Sequence, residues 1–187
     1  MLATKLGQEC IGLERATEKG FLRRASFQVA PGSDLGEIAA RLQKHGVKSE
    51  RRKDITPGVR DAIAFTDPKG TLIEVYAEYQ FAREDTGDQG ISPVKFGHLA
   101  YRVNDPKKIT EFYCDVLGFR VSDWMGDVFS FLRCGPDHHT VNFAKYDEEK
   151  LHHIAFELRD WGAIHDACDY LMRKDIQLVW GPLRHVV

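Results

Sequence analysis

Histidine is the residue type in this sequence that could perform metal or proton-transfer chemistry. The eight histidines are His45, His98, His138, His139, His152, His153, His165 and His185. Neutral imidazole is a ligand of divalent first-row metals, and its pKa near neutrality allows it to exchange protons with a substrate. A single histidine on a strand is more often structural, so its role depends on which other histidines the fold brings beside it.

An internal repeat indicates how the histidines are arranged. Residues 22–29 align with residues 151–158 at an offset of 129, and a further copy starts at Phe96. In each copy a strand with alternating apolar and polar residues is followed by a polar break and an amphipathic helix. The repeat predicts an α+β fold of repeated βαβββ modules. Residues 21–80 and 96–145 are predicted to be whole modules, and the last module is predicted to be incomplete.

The same periodicities predict the individual elements. In the first copy we expect a helix over 35–42, a strand from about Val47, and a final strand at 71–76 after a tight turn at 67–70. The second copy predicts strands at 96–103, 119–124, 127–133 and 138–144, with a helix over 107–116 that Gly118 ends. The third predicts a strand at 151–158, a helix around 164–171 and another strand from about Ile176.

The modules divide the chain into predicted domains. Residues 1–81 form part of an N-terminal domain, and residues 95–187 form a truncated C-terminal domain. The segment 82–94 between them is rich in Asp, Glu, Gly and Gln, which is typical of a solvated linker. Because residues 1–20 resemble the end of an earlier unit and the last module lacks its final strands, we expect the chain to be cut at both ends.

His98 and His153 occupy equivalent positions in the first strands of successive modules. Pseudosymmetric modules pack their first strands side by side, so we expect these two imidazoles to face one another across a shared cavity. Two histidines and one carboxylate, with the remaining positions left open, form the facial arrangement of non-haem iron(II) oxygenases. The pattern therefore predicts a metal site in the C-terminal domain.

The repeat also predicts where the carboxylate would be. Glu74 follows the 67–70 turn, and the offset of 129 places its counterpart near position 203, beyond Val187. Arg24 stands in the first copy where His153 stands in the last, and an arginine does not ligate a cation. We therefore expect the N-terminal domain to be metal-free, and Glu74 to be a structural or surface carboxylate.

Composition excludes several other functions. The net charge of −2 gives no electrostatic reason to expect nucleic acid or an anionic membrane as a partner. No apolar run approaches the roughly 18 residues that span a bilayer, and the N-terminus does not have the pattern of a signal peptide. The four cysteines are scattered and are interpreted as free thiols. These features predict a cytoplasmic protein.

Four segments carry a resemblance to a known family. They are Gly97-His98, the strand region 134–143 with His138-His139, the segment 151–156 with His152-His153, and Gly181-Pro182-Leu183-Arg184-His185. Together they resemble the extradiol ring-cleavage dioxygenases of the vicinal oxygen chelate superfamily, which also contains glyoxalases and bleomycin resistance proteins. The resemblance is strong over 96–187 and looser over 21–80. A complete member has four modules, and about two and a half are present here.

The resemblance implies roles for individual residues. His98 and His153 would ligate iron(II), although the ligand types alone do not separate iron from manganese(II). His139 would be the catalytic acid and base, and His185 would hydrogen-bond the substrate. His138 and His152 are predicted to lie on the opposite faces of their strands as non-ligands. Ala100 and Phe131 are candidate walls of the substrate pocket, with core packing as the other role for Phe131.

The implied activity is cleavage of a catecholic ring by O2 in the catabolism of aromatic compounds. The partners would be a small aromatic diol and O2, and the family resemblance favours a homo-oligomer. We expect the 187-residue chain by itself to be inactive, because its metal site lacks a ligand. Two alternatives remain: a metal-dependent lyase or isomerase of the same superfamily, and a non-catalytic ligand-binding module.

Overall fold

The computed structural model describes residues 2–7, 9–15, 17, 21–81 and 90–184, except for the side chain of Ile55. The chain forms two compact units. One contains Arg15–Gln80 and His98–Ile154, and the other contains Met1–Glu14, Phe81–Gly97 and Ala155–Val187. The predicted boundaries at 81 and 95 remain a prediction. No helix among the described residues is long and apolar enough to cross a membrane.

Eleven strands and three helices make up the described part of the chain. In chain order they are β1 (Leu2–Ala3), β2 (Glu9–Ile11), β3 (Arg24–Gln28), α1 (Leu35–Lys44), β4 (Ser49–Thr56), β5 (Val59–Thr66), β6 (Leu72–Tyr76), β7 (Lys95–Val103), α2 (Pro106–Leu117), β8 (Arg120–Met125), β9 (Phe129–Arg133), β10 (Val141–Lys145), β11 (Lys150–Glu157) and α3 (Trp161–Arg173). The short strands β1 and β2 form an antiparallel pair of their own.

The first predicted module is confirmed as β3, α1, β4, β5 and β6. Its sheet has the order β3-β6-β5-β4, in which β3 and β6 are parallel and the other neighbours are antiparallel. The side chain of Asp34 caps α1 by accepting a hydrogen bond of 2.7 Å from the backbone N–H of Gly36. The apolar face of the helix buries Leu35 and Leu42, as the periodicity predicts.

The second module repeats this topology with β7, α2, β8, β9 and β10. The strands are ordered β7-β10-β9-β8, and β7 and β10 are again parallel. Asp105 caps α2, and Pro106 occupies its first turn, where a missing N–H costs nothing. The helix ends at Gly118, whose φ of +76° is the left-handed conformation that closes helices. The predicted end of this helix is confirmed.

The third module is present through β11 and α3. β11 lies beside β7 and makes the second sheet five-stranded, with the order β11-β7-β10-β9-β8. Asp160 caps α3 by accepting a 2.9 Å hydrogen bond from the N–H of Ala163. The strand predicted near Ile176 is wrong: the described residues 174–184 contain no strand. A strand needs a hydrogen-bonded neighbour, and no described strand pairs with this stretch.

One other predicted boundary is wrong. The strand predicted at 138–144 begins only at Val141, so His138 and His139 lie in the loop between β9 and β10. The alternation of faces along a strand therefore does not apply to this histidine pair. The polar sequence Gly135-Pro136-Asp137 favours a loop here, and it delays the start of the strand.

The two faces of the second sheet differ in character. One face packs on α2: the ring of Tyr113 contacts Phe143 and Phe119 at centroid distances of 4.9 and 5.3 Å, and Tyr101 stacks on Phe143 at 5.9 Å. Since side chains alternate along a strand, the neighbours of Tyr101 and Phe143 face the other way. That second face of the sheet carries His98, Ala100, Phe131 and Asn142.

A buried polar cluster links the first module to α2. The turn predicted at 67–70 forms, and the carboxylate of Asp67 pairs with the ammonium group of Lys69. The hydroxyl of Tyr113 donates a 2.9 Å hydrogen bond to Asp67, and Lys69 Nζ lies 4.2 Å from the ring centroid of Tyr101. Burial lowers the pKa of Lys69, and the neighbouring carboxylate opposes this shift. The cluster therefore depends on Asp67 as the partner of a buried cation.

Removing this counter-charge should destabilise the fold. We expect Asp67→Asn to lower the free energy of unfolding by about 3–5 kcal/mol, because it leaves Lys69 buried without its partner. Urea denaturation measures the loss. Asp61→Asn is the matched control, since Asp61 pairs with the exposed Arg51 and its loss should cost much less. Equal losses for the two variants would contradict the role assigned to the buried pair.

Candidate metal centre

The structure brings together the two histidines that the repeat predicts to face one another. His98 lies on β7 and His153 on the neighbouring strand β11, and their Nε2 atoms are 3.1 Å apart. The ring of His98 is half-buried and that of His153 is exposed. The imidazoles at equivalent positions of β7 and β11, the first strands of two modules, are therefore directed to the same point.

The separation of the two nitrogens fits a shared metal ion. Two ligand atoms that are each about 2.1 Å from a metal and subtend a right angle at it are about 3.0 Å apart. This separation is the bond length multiplied by the square root of two. The observed 3.1 Å matches this arrangement. The same distance also allows a hydrogen bond in which one Nε2–H donates to the other ring. The donor types and spacing thus fit two adjacent positions of an octahedral ion.

His152 contacts His153 from the same strand. Their Nδ1 atoms are 2.6 Å apart, and the predicted facing of His152 stays a prediction. β11 is the edge strand of the sheet, and both rings are exposed, which leaves His152 room to turn back toward its neighbour. If His153 binds a metal through Nε2, its Nδ1 carries the ring proton and can donate a hydrogen bond to Nδ1 of His152. Such a partner holds a ligating ring in one tautomer.

His139 lies next to His98, although the two are far apart in sequence. The centroids of their rings are 4.4 Å apart, and His139 is half-buried in the loop before β10. The Nδ1 atoms of His138 and His139 are 3.0 Å apart. Nδ1 of His139 is therefore in contact with the neighbouring ring of His138. Three predicted site histidines therefore share one place.

The pocket residues predicted from the sequence lie on the same face. Phe131 is buried, and its ring centroid is 5.2 Å from that of His139 and 5.8 Å from that of His138. Ala100 is buried two residues beyond His98 on β7. His185 lies outside the described residues, and its predicted role remains a prediction. The described part of the site is thus a histidine cluster over an apolar base.

The sequence reasoning missed one residue on this face. Asn142 is buried on β10, and its Oδ1 atom has no hydrogen-bond partner among the described residues. Its Cα pairs with those of Ala100 on β7 and Phe131 on β9, so it lies between the two predicted pocket residues. A single polar residue between Val141 and Phe143 in a strongly apolar strand was the available signal.

The first module shows what occupies the equivalent position there. Arg24 lies on β3, and its Nε is 3.0 Å from an oxygen of Glu74 on the parallel neighbour β6. Glu74 is buried and also accepts hydrogen bonds from Ser26 and Thr56 at 3.0 and 3.1 Å. Glu74 is therefore a structural carboxylate, and the positive charge that it binds in this module is a guanidinium group.

The described residues do not supply a third ligand. Across 2–7, 9–15, 17, 21–81 and 90–184 there is no group of three or more His, Cys, Asp or Glu side chains placed to hold a metal ion. His98 and His153 form a pair with matching geometry, and a carboxylate has to come from elsewhere to complete a facial triad.

Comparison with known proteins agrees with the fold. Residues 95–187 match the model of the Glyoxalase/Bleomycin resistance protein/Dioxygenase superfamily. The chain belongs to this superfamily, and its repeated βαβββ modules are those of the vicinal oxygen chelate fold.

Its relatives include ring-cleaving dioxygenases. The chain is 31% identical over 176 residues to a biphenyl-2,3-diol 1,2-dioxygenase of Paraburkholderia xenovorans (strain LB400), covering 78% of this chain and 56% of that protein. It is 25% identical to an iron-dependent extradiol dioxygenase of Rhodococcus jostii (strain RHA1), covering 87% of this chain and 62% of that one.

A solved structure extends the comparison to another activity. The Mn(II)-bound glyoxalase from Novosphingobium aromaticivorans superposes with a TM-score of 0.77 at 30% identity, covering 87% of this chain and 55% of that chain. The chain thus spans between 55% and 62% of the length of these three relatives.

Metal binding at the histidine pair can be tested by NMR on this chain. Titration with paramagnetic Mn(II) should broaden the ring signals of His98, His153 and His139 first, because they surround one point. The His98→Gln variant should weaken this binding by more than about tenfold, since it removes half of the present ligands. His45→Gln, at an exposed histidine that ends α1, should leave it unchanged. Preferential broadening of His45 or His165 would contradict the assignment.

Proposed function

We propose that this chain carries most of the active site of an extradiol dioxygenase, an enzyme that cleaves a catecholic aromatic ring with O2. The observation that carries the proposal is the 3.1 Å separation of the Nε2 atoms of His98 and His153, with the ring of His139 beside them. The similarity to dioxygenases of aromatic diols supports it. The substrates would be a small aromatic diol and O2.

His98 and His153 would hold iron(II), for which manganese(II) is the alternative suggested by the Mn(II)-bound relative. When bound, the metal would supply Lewis-acid chemistry and a route for electrons between the ring and dioxygen. We propose a glutamate beyond Val187 as the third ligand. The first module supports this choice, because Glu74 reaches the equivalent of His153 from the last strand of its module.

His139 would move the protons of the reaction. A diol must lose a proton to bind as an anion, and a later step must return one to an oxygen atom of the substrate. Imidazole can do both near neutral pH. The ring of His139 lies 4.4 Å from that of His98, so it would stand beside a diol held at the histidine pair.

The remaining side chains would orient the ring and exclude water. Phe131 and Ala100 form a buried base on the site face of the sheet, and the aromatic ring of a diol would pack against them. Apolar walls with few polar groups are typical of small-molecule sites. Water excluded from this face would strengthen each polar contact made by His139.

The main alternative is a metal-dependent lyase or isomerase of the same superfamily. The similarity to a Mn(II)-bound glyoxalase favours this alternative, since that relative has the same fold and is 30% identical over the aligned residues. The position of His139 favours the dioxygenase, because a third histidine beside the metal pair supplies the acid and base that ring cleavage needs. Under the alternative, replacement of His139 would leave the activity largely intact.

The proposal can be tested on a protein that includes the residues following Val187. Loaded anaerobically with Fe(II) and then mixed with catechol and O2, it should take up one O2 per ring and form a yellow ring-opened semialdehyde. The 187-residue chain in the same assay is expected to be inactive. Failure of the extended protein to bind iron and to cleave any catechol would defeat the proposal.

The role of His139 has its own test. His139→Gln should lower kcat by about 10²- to 10⁴-fold, because an amide does not titrate, while iron binding is retained. His165→Gln, at an exposed histidine on α3, should have little effect. A variant at His139 that turns over catechol at the normal rate would exclude it as the acid and base.

A further inference from the structure

Asn142 is a polar side chain buried without its full set of hydrogen bonds on the site face of the second sheet. The residue is 3% exposed, and within the part of the chain that the structure describes its Oδ1 atom is buried and has no hydrogen-bond partner. A buried carbonyl oxygen that lacks a donor destabilises a fold, so such groups are rare and commonly mark a site where a partner binds. Packing alone therefore does not explain an asparagine at this position.

The register of the strands places Asn142 in the candidate pocket. Its Cα is paired with that of Ala100 on one side and that of Phe131 on the other. Residues directly opposite one another on neighbouring strands point to the same face of a sheet. Its sequence neighbours Val141 and Phe143 are fully buried, and Phe143 packs on Tyr113 of α2, which leaves Asn142 on the opposite face.

The ring of His139 lies over this part of the face. It contacts the ring of His98 on β7 at 4.4 Å and that of Phe131 on β9 at 5.2 Å. Since β10 runs between these two strands, the ring crosses above the strand that carries Asn142. A molecule that binds beside the histidines and displaces this half-buried ring slightly would reach the carboxamide oxygen of Asn142.

We infer that Asn142 is a specificity-determining residue, whose carboxamide oxygen accepts a hydrogen bond from a hydroxyl or amino substituent of the aromatic diol. This inference rests on the proposed function. A carbonyl oxygen can be satisfied only by a donor, so an alkyl substituent of the same size leaves it unpaired. A site built for a hydrogen bond discriminates strongly against the analogue that lacks the donor.

A pair of matched substrates tests this directly. Hydroxymethyl-catechol and ethyl-catechol, substituted at the same ring carbon, have side groups of similar size, and only the first carries a donor. With the Fe(II)-loaded protein that includes the residues after Val187, we expect kcat/KM and anaerobic binding affinity to favour the hydroxymethyl compound by about tenfold or more. Asn142→Leu should abolish or reverse that preference, because it replaces the acceptor by an apolar group of similar volume.

A control separates this role from simple destabilisation. Ser130→Ala removes a buried polar group from β9 on the opposite face, where Ser130 bonds Thr110 at 2.7 Å, and it should leave the substrate ratio unchanged. Equal preference for the two catechols in the unaltered protein, or the same ratio in Asn142→Leu, would overturn the inference while ring cleavage stands. A protein that neither binds nor cleaves either compound would overturn both this inference and the proposed function.

Discussion

Strand pairing between successive modules is the constraint on which the site depends. Within a module, the first strand pairs in parallel with the last, as β7 does with β10, and this leaves the other edge of the first strand open. β11, the first strand of the next module, lies at that edge. Equivalent residues of two modules are thereby brought beside one another, and no loop has to position them. His98 and His153 meet because both stand at the same place in the repeat.

The same constraint explains why one repeated fold can bear different chemistry in its modules. In the first module the half-buried guanidinium of Arg24 pairs with the buried carboxylate of Glu74, which also accepts hydrogen bonds from two hydroxyl groups. In the later modules the equivalent position is histidine, a residue type whose neutral ring can ligate a divalent metal. The residue at this one strand position thus decides whether a module has a structural ion pair or a candidate metal ligand there, while the topology stays the same.

Much of this arrangement could be predicted from the sequence, because the repeat consists of apolar periodicities and turn residues that indicate local structure. The amphipathic helix at Leu35–Lys44 and the stop at Gly118 follow from periodicity and backbone preference, and both were predicted. The strand near Ile176 was not correctly predicted, because its apolar pattern does not reveal whether a neighbour is present to pair with it.

Other features depend on contacts that are distant in the sequence. His139 lies in the loop before β10, and its ring contacts that of His98. Because β10 begins only at Val141, the alternation of side chains along a strand could not predict where this ring points. Asn142 was missed for a related reason, since only the register of β10 against β7 and β9 shows that its side chain belongs to the site. His152 turns toward His153 because an exposed edge strand does not constrain its ring.

His98 and His153 are proposed to bind one metal ion between them. The most direct measurement is an anomalous difference map from crystals of the Fe(II)-loaded protein, collected anaerobically at the iron absorption edge. We expect a single strong peak within bonding distance, about 2.1 Å, of Nε2 of both His98 and His153, with the ring of His139 adjacent to the peak and not bonded to it. An iron peak elsewhere, or one bound by only one of the two histidines, would contradict it.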